Sequence, residues 1–271
     1  MLPRRELLEG SRNPSALEPV IAAAEQALRT WEPQWTGFLE GAVREEAEQR
    51  LGQLAELELH AEGGYPGAER CRLLLRRRDA GLDPAQLPIT LTGLDIRGNF
   101  LFDPCQPDDF RAALAASGLP EAAIGDVWVR GDRGAQAIVD AAAAAPLSEA
   151  PLSEAQSPVA QSLVRGVEVT VETVPLEQLQ LPVRRQPRRF HTVEASLRLD
   201  AVASAGFGLS RSRMAELIRA GEVRVNWVPV TGASRELACG DRIHLAGRGE
   251  LLLETVSPTK RERWRLGLMR S

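Results

Sequence analysis

Hydrophobic and polar positions alternate most legibly between residues 196 and 228. Leu199, Val202, Ala203 and Phe207 recur at i, i+3, i+4 and i+8, the spacing of one helical stripe. Gly206 and Gly208 are expected to break that helix, and Ser210 suits an N-cap for the next one. Met214, Leu217 and Ile218 repeat the stripe, and Gly221 falls where a left-handed C-terminal cap belongs. Val223, Val225 and Trp227 then alternate with Arg224 and Asn226, predicting a strand with one buried face.

Earlier in the chain, residues 15–60 read as helices. Pro19 opens the first, with Val20, Ala23, Ala24, Ala27 and Leu28 on one face. After an interruption from Thr30 to Thr36, Phe38, Ala42, Val43, Ala47, Leu51, Leu54 and Ala55 continue on a second helix. Trp31 and Trp35 flank the break and are expected to staple the two helices together. A turn cluster, 62–67, leads into a strand from Cys71 to Leu75 that ends in Arg76, Arg77 and Arg78. That triplet reads as a solvated strand end, with a basic contact surface as the minority reading.

From residue 88 the pattern becomes mixed. Residues 89–96 read as a strand, and Pro107–Ala116 as a helix with Phe110, Ala113, Leu114 and Ala116 inward. Residues 126–129 and 135–139 read as a hairpin over a turn at 131–134, Ala141–Ala145 as helix, and 167–171 as a last strand. This order is that of a split βαβ sandwich, the plan of RNA-recognition domains, although no strand carries the aromatics with which those domains stack bases. The duplicated PLSEA at 146–155 reads as a loop expansion, and 175–192 as an extended tether. The expected class is α+β in three parts: a helical α+β region (1–87), an RRM-like α/β sandwich (88–183) and a terminal domain (184–271).

Charge sharpens this division. The 271-residue chain has a net charge of −4. Residues 184–271 hold 17 Lys+Arg against 9 Asp+Glu, leaving +8 there and −12 in the remainder. A basic end on an acidic body points toward nucleic acid. Arg211 and Arg213 lie in the first turn of the second predicted helix, where a cation opposes the helix dipole but free N–H groups favour a phosphate. Arg219 and Arg224 extend that row. On charge alone the pattern equally fits the solvated face of an ordinary helical hairpin. Arg184, Arg185, Arg188 and Arg189 precede the domain, and Lys260, Arg261, Arg263 and Arg265 surround Trp264 near its end. Cys71, Cys105 and Cys239 are scattered, as are His60, His191 and His244, so no metal site is expected. No apolar run is long enough for a membrane span and no signal peptide is read, so a cytoplasmic location is expected.

Arg198-Leu199-Asp200, Ser210-Arg211, Ile218 to Gly221, Val223 to Asn226 and Gly240-Asp241-Arg242-Ile243 together resemble the S-four domain, an RNA-binding module named after ribosomal small-subunit protein four. The order of GNFLFDP (98–104), the following helix, residues 124–139 and this terminal domain resembles the YlmH family. It is closest to its cyanobacterial branch, the photosystem II S-four domain proteins; the basic stretch TKRERWR (259–265) matches that branch. The resemblance implies an αL-type RNA-binding fold and association with large ribosomal subunits, with rRNA and tRNA as partners. Together with the charge reading, it gives the expected RNA-facing residues as Ser210, Arg211, Arg213, Arg219, Arg224 and Asn226, flanked by Arg184, Arg185, Arg188, Arg189, Lys260 and Arg261. Trp227 and the duplicated PLSEA depart from the family pattern.

Several S-four proteins are catalysts, so the chain's motifs bear on catalysis as well as binding. Arg198-Leu199-Asp200 matches the letters of a pseudouridine synthase motif but begins a short helix of the binding module. Gly131 to Gly134 sits between strands and so cannot open a cofactor-binding helix. No P-loop, H-E-x-x-H or G-x-S-x-G occurs. The expectation is a monomeric, non-catalytic RNA-binding protein without cofactor or small-molecule substrate. Two alternatives stand beside it: an RNA-modifying enzyme of pseudouridine synthase type, and an adaptor in photosystem II biogenesis.

Overall fold

The computed structural model describes residues 2–81, 90–148, 162–182, 186–245 and 248–271. It divides the chain into two compact units, Met1–Pro182 and Val183–Ser271.

In the first unit, α1 (Arg4–Leu8), α2 (Pro14–Thr30), β1 (Gln34–Trp35), α3 (Gly41–Leu51), β2 (Leu57–Glu62) and β3 (Arg72–Arg77) build a three-stranded sheet, order β1-β3-β2, covered by helices. Leu17, Val20, Ile21, Ala24 and Ala27 of α2 are buried with Leu57, Leu73 and Leu75 of the sheet. Helix α2 begins at Pro14, not at Pro19 as expected. Proline is well suited to a first helical position; inside the helix, Pro19 forfeits the bond to the Ser15 carbonyl and its ring crowds that carbonyl. The second predicted helix is likewise too long. It stops at Leu51, and Leu57–Glu62 pairs with β3 across six residues, so tertiary pairing overrides the helical spacing. Nor do the tryptophans staple helices: Trp31 caps α2 in a left-handed conformation (φ 64°) and lies 3.9 Å from the Arg77 guanidinium, while Trp35 sits 5.2 Å from Arg72. The arginine triplet is engaged internally. Arg76 pairs with Glu58 at 2.8 Å, Arg77 with Asp79 at 3.0 Å, and Arg78 donates to the Leu57 carbonyl at 3.4 Å.

The same unit continues with β4 (Leu91–Arg97), α4 (Pro107–Ala116), β5 (Ile124–Val129), β6 (Gly134–Asp140), α5 (Ala141–Ser148), β7 (Ser162–Val164) and β8 (Val167–Val174). These strands form an antiparallel sheet in the order β5-β6-β4-β8-β7: the expected split βαβ plan, with β7 added as a hairpin. Phe110 and Leu114 of α4 pack on Leu94, Ile96, Ala135 and Val139, whereas Ala116 faces solvent. Helix α5 takes in the first three residues of the PLSEA duplication; the rest of the duplication lies outside the described residues.

The opposite face of this sheet corrects the tether reading. After β8 the chain folds back over it. Leu179 lies against Gly93 so closely that an added Cβ would sit 2.8 Å from it. The Gln180 N–H donates to Gln136 Oε1 at 2.8 Å, and Trp128 Nε1–H donates to the Gln180 carbonyl at 3.0 Å. Beside this cover, the central strands carry a charged network. Buried Asp95 pairs with Arg97 at 2.7 Å and Arg130 at 3.5 Å, and accepts from Gln136 Nε2 at 3.1 Å. The face that RNA-recognition domains offer to bases is thus largely used by the chain itself.

The second unit comprises β9 (Arg188–Glu194), α6 (Leu199–Phe207), α7 (Arg211–Arg219), β10 (Val223–Val225), β11 (Val228–Pro229), β12 (Arg242–Leu245), β13 (Gly249–Pro258) and β14 (Trp264–Arg270). Its antiparallel sheet runs β11-β10-β12-β13-β14-β9. Leu199, Val202, Phe207, Met214 and Ile218 bury against Ile243, Leu251, Leu253, Leu266 and Leu268. Gly206 does not break α6. It packs where an added Cβ would come within 2.0 Å of Leu251, and Gly208 (φ 67°) makes the left-handed cap alone. Residues 188–192, also assigned to the tether, form most of β9, which pairs with β14 over seven registers from Arg188↔Arg270 to Glu194↔Trp264. Arg184 and Arg185 lie outside the described residues.

Candidate nucleic-acid interface

The second unit sets its cations on a rigid frame whose anchor is a carboxylate. Asp200, in the first turn of α6, is only 7% exposed. It accepts from Arg198 Nε at 3.0 Å and Nη2 at 3.2 Å, and from Arg211 Nη2 at 3.0 Å. Burial alone would raise its pKa, but the hydrogen bonds and charges of the two guanidiniums outweigh it and hold the carboxyl below its ordinary value. Arg211, a cation set against the dipole of α7, therefore also ties the start of that helix to α6. Ser210 is the N-cap: its Oγ accepts from the Arg213 N–H at 3.3 Å.

The remaining predicted residues separate by what their side chains already touch. Arg213 makes an exposed pair with Glu216 at 3.0 Å, a contact of small energetic consequence. Arg219 closes α7 eight residues after Arg211, about 12 Å along the helix. Arg224 follows on the exposed face of β10. Among the described residues, neither Arg219 nor Arg224 has an ion pair. Asn226 is different. With Trp227 it makes a two-residue turn in which both have positive φ (50° and 68°), joining Val225 to Val228. Its Nδ2 donates to Asp241 Oδ1 at 2.7 Å and its Oδ1 accepts from the Arg242 N–H at 3.0 Å. The Trp227 ring rests 5.6 Å from His244. The Asn226 amide locks the hairpin to the Gly240-Asp241 turn, leaving little of it for a ligand.

Further cations lie elsewhere on the same unit, at the two ends of the β9–β14 pairing. Arg188 and Arg189 are exposed on β9, and Arg189 pairs with Glu254 at 2.9 Å. Lys260 and Arg261 occupy the turn between β13 and β14, where Arg263 and Arg265 join them around a concavity of about 720 Å³. The structure therefore gathers Arg211, Arg213, Arg219 and Arg224 along α7 and β10, and places Lys260 and Arg261 apart from them. Arg263 and Arg265 were visible in the sequence only as a basic rim; what places them at a site is the hairpin register. Among the described residues no cluster of His, Cys, Asp or Glu fits a metal ion, and no helix is long and apolar enough to cross a membrane.

Comparison with known proteins matches residues 12–80 to the YlmH N-terminal family and residues 197–243 to the S4 domain. The ribosome-associated protein quality control protein P2 of Bacillus subtilis (strain 168) is 30% identical over 213 residues, covering 78% of this chain and 77% of that protein. The chain belongs to the YlmH family. The YlmH N-terminal match takes in α2 through β3, while the S4 match takes in α6, α7, β10 and β11 and reaches into β12; β9, β13 and β14 extend the YlmH chain's second unit beyond it. Among solved structures, the cell division protein ylmH from Streptococcus pneumoniae aligns with a TM-score of 0.44 at 15% identity, covering 61% of this chain and 93% of that one.

Proposed function

We propose that this YlmH-family protein is a non-catalytic, monomeric, cytoplasmic factor that binds structured RNA of the large ribosomal subunit in ribosome-associated quality control. The observation that carries the reading is the row of exposed arginines along α7 and β10, mounted on an S4 domain in the basic third of the chain. Exposed guanidiniums on a helix and strand fixed by a packed core suit phosphate contacts, which position a protein on RNA and dominate its affinity. The name of the Bacillus subtilis relative supports the ribosomal setting. Asp200, the carboxylate a pseudouridine synthase-like reading would need, is held by two arginines, which supports a structural role for it. Sedimentation of cell extracts is the test. The protein is expected with large subunits, and its release by ribonuclease into free fractions is expected to follow. Recovery away from ribosomal particles before and after ribonuclease would refute the reading.

A further inference from the structure

The turn between β13 and β14 concentrates positive charge in a way the fold itself does not use. Ser257, Thr259, Lys260, Arg261, Arg263 and Arg265 line its concavity, and no carboxylate does. Among the described residues, none of the four cations makes an ion pair, although Arg189, Arg211, Arg213 and Arg242 of the same unit all do. Four like charges on one hairpin repel one another, so stability gives no reason for them. The turn is nevertheless well formed. The Thr259 N–H donates to the Arg263 carbonyl at 2.7 Å, and Thr259 Oγ1 accepts from the Arg263 N–H at 3.2 Å.

Register places the concavity on the side of the sheet away from the helices. Ser257 pairs with Arg265, and Arg265 with Val193, making one row across β13, β14 and β9. Leu266 and Leu268 point the other way, into the core beneath α6. A phosphate held here is therefore not one held by α7. The residues also fall outside the stretch matched to the S4 domain, which ends at 243.

We infer that this concavity is a second phosphate-binding site, which grips the sugar–phosphate backbone of RNA at a point separate from the α7–β10 row. Guanidiniums pair with phosphate oxygens in bidentate fashion, an ammonium adds a point charge, and the Ser257 and Thr259 hydroxyls are donors of the kind phosphate contacts use. Exposed Val193 supplies a small apolar wall, too little to anchor a peptide. Two grips, one along α7 and β10 and one at the far end of β13 and β14, suit a folded RNA whose backbone passes the unit twice.

The inference rests on the RNA-binding reading above, and the test separates the two. The full-length chain is titrated with purified large-subunit ribosomal RNA at several salt concentrations, beside Arg261→Ala with Arg263→Ala, Arg219→Ala with Arg224→Ala, and all four together. Each pair is expected to weaken binding and flatten the log–log salt dependence by about one to two units, at ~0.9 per phosphate neutralised, with the effects adding. Arg261→Lys with Arg263→Lys, which keeps the charge, is expected to retain the slope. If the turn pair changes nothing while the α7–β10 pair flattens the slope, the second site is refuted and the proposed function stands. Polyglutamate serves as a competing probe. Loss of its binding in the turn pair, with the RNA slope unchanged, would reassign the concavity to an acidic protein and overturn the proposal. If the wild-type chain shows no salt-dependent RNA binding, both readings fall.

Discussion

Replacing Asp200 by asparagine isolates the clamp on which the α6–α7 hairpin closes. Asparagine keeps the shape and one acceptor oxygen, so no cavity opens, but three charge-assisted bonds lose the negative charge they share. Removing one partner of a fully buried pair costs about 3–5 kcal/mol. Here the Arg198 and Arg211 side chains are 41% and 57% exposed and regain water, so that figure must be discounted toward the 0–1 kcal/mol of exposed pairs. Loss of a carboxylate from the first turn of α6 adds ~0.3–1 kcal/mol. The sum is roughly 2 kcal/mol. For a domain of this size each kcal/mol lowers the midpoint by about 4–8 °C, so the second unit's transition should fall by roughly 10 °C at pH 7. Calorimetric melting of the full chain reads this. The pH dependence carries the sign. Because the folded-state pKa lies below the ordinary value, the carboxylate's contribution is present above the unfolded-state pKa and disappears as pH falls through the folded one. The gap between wild type and Asp200→Asn should therefore close in acid. RNA affinity should hold or rise slightly, since a negative charge beside Arg211 is removed. An unchanged midpoint at pH 7, or a gap that persists in strong acid, would refute the clamp.

Two further substitutions test the frame. Asn226→Ala removes two hydrogen bonds and puts an ordinary residue at φ 50°, so stability should fall by about 2–3 kcal/mol in urea titration, while the salt slope of RNA binding stays unchanged in the folded fraction. A flattened slope there would mean the amide does meet RNA. Gly206→Ala forces a methyl group against Leu251 inside the core and should cost about 1–3 kcal/mol by thermal melting; a neutral result would show that α6 and β13 are not so closely packed.

The parts legible in the sequence were those where local pattern and tertiary fold agree. Both helical stripes of the S4 hairpin, the Ser210 cap, the Gly221 turn and the Pro107–Ala116 helix all occur, because spacing, caps and burial point the same way. Residues 57–60 failed because the stripe of Leu51, Leu54 and Ala55 was run on into them, although Leu57 and Leu59 alternate as in a strand and pair with β3. β9 was hidden because its apolar alternation is sparse, with two arginines before Phe190 and a histidine after it, and an edge strand takes its stability from its neighbour. The candidate interface was legible in its residue types but not in their employment. Arg211 and Arg213 are two residues apart in the sequence, yet one is clamped by Asp200 and the other is paired only at the surface. Asn226 looked like a ligand contact because its backbone role, a left-handed turn residue bonded to Asp241 and Arg242, depends on a turn fifteen residues away.

The central claim is that the arginines of α7 and β10 meet RNA phosphates. The most direct measurement is the salt dependence of ribosomal RNA binding by full-length Arg213→Ala/Arg219→Ala/Arg224→Ala against wild type. None of these three side chains is buried, so the variant should melt within about 0.5 kcal/mol of wild type. Its log–log slope should be flatter by about two to three units, with weaker binding at every salt concentration. A variant that folds normally and binds with the wild-type slope would contradict the account.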